Sequence, residues 1–198
     1  VQENGKLLDL SETSFFVTGP ELLKVNIVLM LDYTGSMYDA APGNGQAIEQ
    51  MVDAAKVFIR ALPASYAVAV MEYHDRDQGN RVIANFDTNK ENVISELEDF
   101  SLPRPEHGAS EIFDALMDAT NFLVSEDSGE LPFDDADIRA VVYISDGRDT
   151  SSTITLSELL NKASDEDHMV RFYPIAFGEE VNASDLVQTA IETGGHYY

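Results

Sequence analysis

The sequence contains one apolar, β-branched run that passes directly into a polar turn: Val25-Asn26-Ile27-Val28-Leu29-Met30-Leu31, then Asp32-Tyr33-Thr34-Gly35-Ser36-Met37. A continuous apolar run of this length is typical of a strand buried on both faces, as in a parallel sheet. Ligands of such sheets bind beyond the carboxyl ends of the strands. Alternation in an extended turn would point positions 32, 34 and 36 the same way, and Gly35 would permit the tight turn that lifts the Ser36 hydroxyl.

Strand and helix patterns alternate along the rest of the chain. Five segments are predicted as strands: 25–31, 66–73, its hairpin partner 81–86, 138–145 and 169–177. Five segments have helical spacing or helix-end signals: 46–62, 90–100, 111–125, 155 to about 167, and one running from Asn182 to Gly194-Gly195. Residues 196–198 are predicted to begin one more strand. This order predicts an α/β fold, a doubly wound and mostly parallel sheet with one antiparallel edge strand and helices on both faces.

Length and charge limit the function classes. The 198 residues suit one domain at 24–198 after an extended lead-in at 1–23, with an edge strand near 14–17. The net charge of −24 argues against nucleic acid and anionic membranes, and favours solubility, cation binding or life in high salt. No apolar run is long enough to span a bilayer, and residues 1–5 lack signal-peptide features. The chain has no cysteine, which excludes disulfides and thiolate metal sites.

Five oxygen-bearing side chains are expected to meet at one edge of the sheet: Asp32, Thr34, Ser36, Ser110 and Asp146. Hard oxygen ligands suit Mg²⁺, Ca²⁺ or Mn²⁺. Two carboxylates with neutral hydroxyls leave such a metal electron-poor, so it would seek a further carboxylate from a partner.

Each of these groups also has an ordinary structural interpretation. Asp32 could be a turn or cap residue, Ser110 the N-cap of its helix, and Asp146-Gly147 a simple turn pair. An acidic stretch, Asp134-Asp135-Ala136-Asp137, could hold calcium but lacks EF-hand spacing. His74-Asp75-Arg76-Asp77 is best interpreted as a polar hairpin turn.

The motifs together resemble the von Willebrand factor A and integrin inserted domains over about residues 24–198. Segment 32–37 resembles their DxSxS signature, 108–110 their threonine loop, 143–147 their later aspartate, and 175–178 and 193–198 their closing strands. The resemblance implies a metal-ion-dependent adhesion site in which Thr34, Ser36 and Ser110 supply hydroxyls. Asp32 and Asp146 would bind the metal directly or through water.

The chain departs from the family pattern in three places. Thr34 stands where serine is usual and Ser110 where threonine is usual, and both keep the hydroxyl. Family members usually carry a final helix after the last strand, whereas this sequence ends at Tyr198.

The expected function is therefore a non-catalytic adhesion module of a larger exported or cell-surface protein. One divalent cation, Mg²⁺ before Ca²⁺ or Mn²⁺, would hold a carboxylate of a protein or other ligand, without nucleic-acid binding or membrane insertion. One alternative is a cytoplasmic, chelatase-like module of a multi-subunit complex. Another is a Mg²⁺-dependent phosphotransferase with Asp32 as nucleophile, which the Thr34 position disfavours.

Overall fold

A central five-stranded sheet organises the protein. The computed structural model describes residues 2–3, 6–7, 23–39, 46–74, 81–101, 110–124, 131, 133–145, 149–165, 167–176 and 183–198. The strands are β1 (Gln2–Glu3), β2 (Lys6–Leu7), β3 (Val25–Asp32), β4 (Tyr66–Tyr73), β5 (Arg81–Asp87), β6 (Ile138–Ser145) and β7 (Val170–Ala176). The sheet order is β5-β4-β3-β6-β7, with β5 antiparallel to β4 and the other pairs parallel. The predicted mostly parallel sheet with one antiparallel edge strand is confirmed.

Helices cover both faces of this sheet, as predicted. They are α1 (Gly35–Asp39), α2 (Gln46–Ala61), α3 (Lys90–Asp99), α4 (Ile112–Val124), α5 (Leu156–Ala163) and α6 (Ala183–Glu192). One core cluster joins α2 and α3 to Leu29 and Leu31 of β3, and the other joins α4, α5 and α6 to Val28 and Met30. Because neighbouring residues of β3 enter different cores, the strand is buried along its whole length and its sequence shows no polar alternation.

Three local predictions need correction. The extended turn after Asp32 is instead the short helix α1, because the Thr34 backbone N–H donates to Asp32 Oδ1 and the Met37 N–H to the Thr34 carbonyl. Helix α5 ends at Ala163, since Ser164 leaves helical geometry and the Asp165 carboxylate accepts from the Asp167 N–H in a turn. Residues 196–198 are not a regular strand, although Tyr198 exchanges backbone hydrogen bonds with Pro174 and Ala176 of β7.

At the start of the chain, only residues 2–3 and 6–7 are described before residue 23. The predicted edge strand near 14–17 lies outside the described residues, whereas the antiparallel pair of β1 with β2 was not predicted. Gly194, with φ of +70°, follows α6 and confirms the predicted helix stop.

Among the described helices, none is long and apolar enough to cross a membrane.

The core predicts how the protein responds to truncation of β3. We expect Leu29→Ala to lower the free energy of unfolding by about 2–5 kcal/mol, because Leu29 is fully buried in the central strand. The matched control is Val57→Ala on α2, where Val57 is 68% exposed and the change should stay within about 0.5 kcal/mol. Urea unfolding measures both, and equal losses in the two variants would contradict the placement of β3 at the centre.

Candidate metal centre

Three of the predicted site residues come together at the carboxyl end of β3. The Thr34 hydroxyl donates to Asp32 Oδ1 at 2.5 Å, and the Thr34 and Ser36 hydroxyl oxygens lie 3.0 Å apart. Asp32 is 0% exposed and Thr34 1% exposed, whereas Ser36 is exposed. The cluster is therefore rooted in the core and opens to solvent on the side of Ser36.

The hydrogen-bond pattern orients this pair of hydroxyls. A hydroxyl has one hydrogen to donate, and the hydrogen of Thr34 is directed to Asp32. Ser36 is then the donor in the contact between the two hydroxyls. One lone pair of the Thr34 hydroxyl therefore accepts from Ser36, while its hydrogen is held by Asp32.

A residue that sequence reasoning missed holds the other oxygen of Asp32. The Tyr73 hydroxyl donates to Asp32 Oδ2 at 2.7 Å, and Tyr73 is 1% exposed. Tyr73 pairs with Asp32 in the register of β3 with β4, and its carbonyl accepts from the Tyr33 N–H. The available sequence signal was weak, namely a tyrosine at the end of a strand predicted to neighbour β3.

Ser110 lies just before α4 and is tied to the segment that follows β6. Its N–H donates to the Thr150 hydroxyl at 2.9 Å, and its carbonyl accepts from the N–H groups of Thr150 and Ser151. Ser110 is 5% exposed, and its hydroxyl has no hydrogen-bond partner among the described residues. Buried hydroxyls normally have a hydrogen-bond partner, so this one is available to bind a ligand.

The helix-cap interpretation of Ser110 is wrong, because another residue caps α4. The Ser152 hydroxyl accepts from the N–H groups of Phe113 and Asp114 and donates to Asp149. The Asp114 carboxylate accepts in return from Thr153 and Ile154. The start of α4 is therefore fastened to the segment after β6, which leaves the Ser110 hydroxyl free of that role.

The fifth predicted ligand, Asp146, lies outside the described residues. It follows Ser145, the last residue of β6, which neighbours β3 in the sheet. Its part in the centre stays a prediction.

The acidic stretch at 134–137 has a structural role. Asp135 binds the Lys24 ammonium at 2.6 Å, a hydrogen bond that lowers the pKa of its carboxyl, and Asp137 accepts from the Lys24 N–H. These acids fasten the start of β3 to the start of β6. No group of three histidine, aspartate or glutamate side chains suited to a metal occurs among the described residues, so neither this stretch nor any other described one forms a carboxylate cage.

His74 follows β4 directly and is buried, and β4 and β5 pair antiparallel as the hairpin interpretation predicted. Its Nδ1 lies 2.7 Å from Oε2 of Glu72, and both side chains are buried. The pKa of the nearby Tyr33 phenol is raised, mainly by burial and further by Tyr38 and Glu72. Residues 75–80, which include Asp75 and Asp77, lie outside the described residues.

The described donors fit a hard divalent cation. They comprise one carboxylate and three hydroxyls, with the Ser110 hydroxyl buried and unpartnered in the described structure. Oxygen donors of this kind are those preferred by Mg²⁺, Mn²⁺ and Ca²⁺. The Ser110 hydroxyl forms no hydrogen bond with Thr34 or Ser36, so its place in the same site stays a prediction.

Comparison with solved structures places this architecture among known folds. An aerotolerance-related membrane protein from Bacteroides fragilis is 13% identical with a TM-score of 0.65, covering 87% of this chain and 90% of its own. Proximal thread matrix protein 1 from the mussel byssus, with a zinc-occupied MIDAS motif, is 16% identical with a TM-score of 0.66, covering 89% and 44%. A von Willebrand factor type A protein from Catenulispora acidiphila is 16% identical with a TM-score of 0.66, covering 88% and 38%. These similarities show the fold.

The sequence itself identifies the family. No curated protein sequence matches the chain. The model of the von Willebrand factor type A domain, however, matches residues 25–198, from the first residue of β3 to the end of the sequence. Together with the sheet order and the helices on both faces, this match shows that the chain belongs to the von Willebrand factor type A domain family.

Proposed function

We propose that this domain binds one divalent cation at the carboxyl edge of its sheet and uses it to hold a carboxylate of a partner. Domains of this family bind proteins or other ligands, some of them in a metal-dependent way. The observation that carries the metal proposal is the cluster of Asp32, Thr34 and Ser36, buried at its root and open at its tip. Thr34, Ser36 and Ser110 would supply hydroxyl ligands, and Asp32 and Asp146 would bind directly or through water.

The ligand set explains why a partner carboxylate is expected. A bound Mg²⁺ would supply a positive charge and keep waters where protein ligands are few. The hydroxyls are neutral, and the charge of Asp32 is shared with Thr34 and Tyr73 through hydrogen bonds. The negative charge of a partner carboxylate would therefore help to neutralise the cation, which neutral hydroxyls cannot do.

The net charge of −24 makes the cation necessary for such a partner. An acidic partner would otherwise be repelled, so binding should depend on the metal and on basic residues around the partner carboxylate. The zinc-occupied motif of the mussel protein is a precedent for a divalent ion on this fold. We propose Mg²⁺ first, with Ca²⁺ or Mn²⁺ as substitutes, because every described donor is oxygen.

The geometry favours binding over catalysis by Asp32. A nucleophile must reach its substrate, whereas both oxygens of Asp32 accept hydrogen bonds and the residue is fully buried. We therefore propose a non-enzymatic module. For its location we propose export or the cell surface, as for the adhesion members that the motifs resemble. A cytoplasmic module of a multi-subunit complex is the alternative for its location.

Calorimetry with Mg²⁺, Mn²⁺ and Ca²⁺ tests the metal proposal. We expect one principal site in the native chain, no binding in Asp32→Ala and strongly weakened binding in Ser36→Ala. Ser36 is exposed, so its replacement should leave the fold intact as judged by circular dichroism. Ser157→Ala, an exposed serine of α5, is the matched control and should bind like the native chain. Unchanged metal affinity in both Asp32→Ala and Ser36→Ala would contradict the proposed metal site.

Thermal unfolding provides a second test. Ligand linkage predicts a gain of about 2.7 kcal/mol in stability at a hundredfold excess of free metal over Kd. Salt alone also stabilises so acidic a chain by screening, so divalent and monovalent salts are compared at matched ionic strength. At the same metal concentration the specific gain should be much smaller in Ser36→Ala and should persist in Ser157→Ala. Identical melting temperatures in the two salts at saturating metal would contradict a formed site.

A further inference from the structure

We infer that Tyr73 is a positioning residue of the candidate metal centre: its hydroxyl anchors Asp32 and thereby sets the direction in which Thr34 presents its oxygen. The inference rests on the proposed metal function and adds to it a residue of a neighbouring strand. Tyr73 contacts Asp32 through its hydroxyl at 2.7 Å and is not itself among the proposed ligands.

The position of the phenol is determined by both strands at once. Tyr73 is the last residue of β4 and Asp32 the last of β3, and the two are direct partners in the parallel register. The Tyr33 N–H donates to the Tyr73 carbonyl at 2.9 Å, which joins the two strand ends immediately beyond that pair. With its ring buried at 1% exposure, the phenol has little freedom to move away from Asp32.

The two oxygens of Asp32 have separate partners. Oδ2 accepts from Tyr73, while Oδ1 accepts from the Thr34 backbone N–H and the Thr34 hydroxyl. The side-chain torsion that rotates the Asp32 carboxylate has a broad distribution, so hydrogen bonds must fix it. Because the carboxylate is planar, a bond that fixes Oδ2 also fixes the position of Oδ1. The hydrogen of Thr34 then points at Asp32, and the Thr34 oxygen is presented on the side of Ser36, from which it accepts a hydrogen bond.

Loss of the phenol hydroxyl would therefore act on the metal through Asp32 and, beyond it, Thr34. The carboxylate of Asp32 could rotate, and the Thr34 hydroxyl would lose its single preferred orientation. Outer partners of metal ligands typically affect affinity by about 10- to 100-fold. We expect a weakening of about tenfold for Mg²⁺ in Tyr73→Phe, because the backbone N–H of Thr34 still holds Oδ1.

A second buried tyrosine offers a matched control for simple loss of stability. Tyr143 on β6 is 1% exposed, and its hydroxyl lies 2.8 Å from the Thr189 hydroxyl on α6. Tyr143→Phe thus removes a buried hydroxyl and its hydrogen bond to a neighbouring side chain, as Tyr73→Phe does, but away from Asp32. A merely structural role for Tyr73 predicts the same metal affinity in both variants.

The experiment compares the native chain, Tyr73→Phe and Tyr143→Phe. Mg²⁺ affinity by calorimetry should fall about tenfold in Tyr73→Phe alone, even if both variants lose melting temperature. Without metal, hydrogen exchange at the Thr34 amide should speed up in Tyr73→Phe and not in Tyr143→Phe. In the native chain, the ring signals of Tyr73 should shift on Mg²⁺ titration while those of Tyr143 stay, a reading that needs no variant to fold.

The outcomes separate the two levels of the proposal. Unchanged or tighter Mg²⁺ binding in Tyr73→Phe, with native binding intact, overturns the role of Tyr73 alone. An equal loss of affinity in Tyr73→Phe and Tyr143→Phe also overturns it, because the effect is then one of general stability. A native chain that binds no Mg²⁺ overturns the proposed metal function and, with it, the positioning role.

Discussion

A buried carboxylate at the end of the central strand is the constraint on which this structure depends. Asp32 is 0% exposed, and a buried charge is costly unless hydrogen bonds compensate for it. Compensation comes from Thr34 in the same segment and from Tyr73 on the adjacent strand. The Tyr73 contact requires β4 to lie beside β3 in its observed register. The arrangement of the candidate centre therefore depends on the order of the strands in the sheet.

The acidity of the surface and the chemistry of the centre are separate matters. The chain carries 36 acidic residues, yet the described candidate ligands are one carboxylate and three hydroxyls. Where described acids have partners, several serve the fold, as Asp135 and Asp137 do in fastening Lys24, and Asp114 in holding the segment after β6. Selectivity for a cation would then come from oriented, partly buried hydroxyls, with the acidic surface supplying only a general attraction.

The features that sequence predicted are those encoded in continuous patterns. The run from Val25 to Leu31 predicted a strand buried on both faces, because a strand with one face in solvent would alternate polar and apolar residues. The grouping of Asp32, Thr34 and Ser36 was predicted, but with the wrong backbone, since Asp32 ends β3, Thr34 lies in a bend and Ser36 is in the short helix α1. Tyr73 and the tie of Ser110 to Thr150 were missed because they join residues 41 and 40 positions apart, and local patterns do not encode strand register or loop contacts. Asp146 stays a prediction.

Paramagnetic line broadening by Mn²⁺ measures the central claim most directly, since it reports where a divalent ion sits in the folded chain. If one cation lies at the carboxyl edge of the sheet, substoichiometric Mn²⁺ should first broaden the amide signals of Thr34, Ser36 and Ser110, and an excess of Mg²⁺ should restore them. Broadening that begins elsewhere on the acidic surface, for example around Asp134 and Asp135, and spares these three amides would contradict a metal centre at this edge.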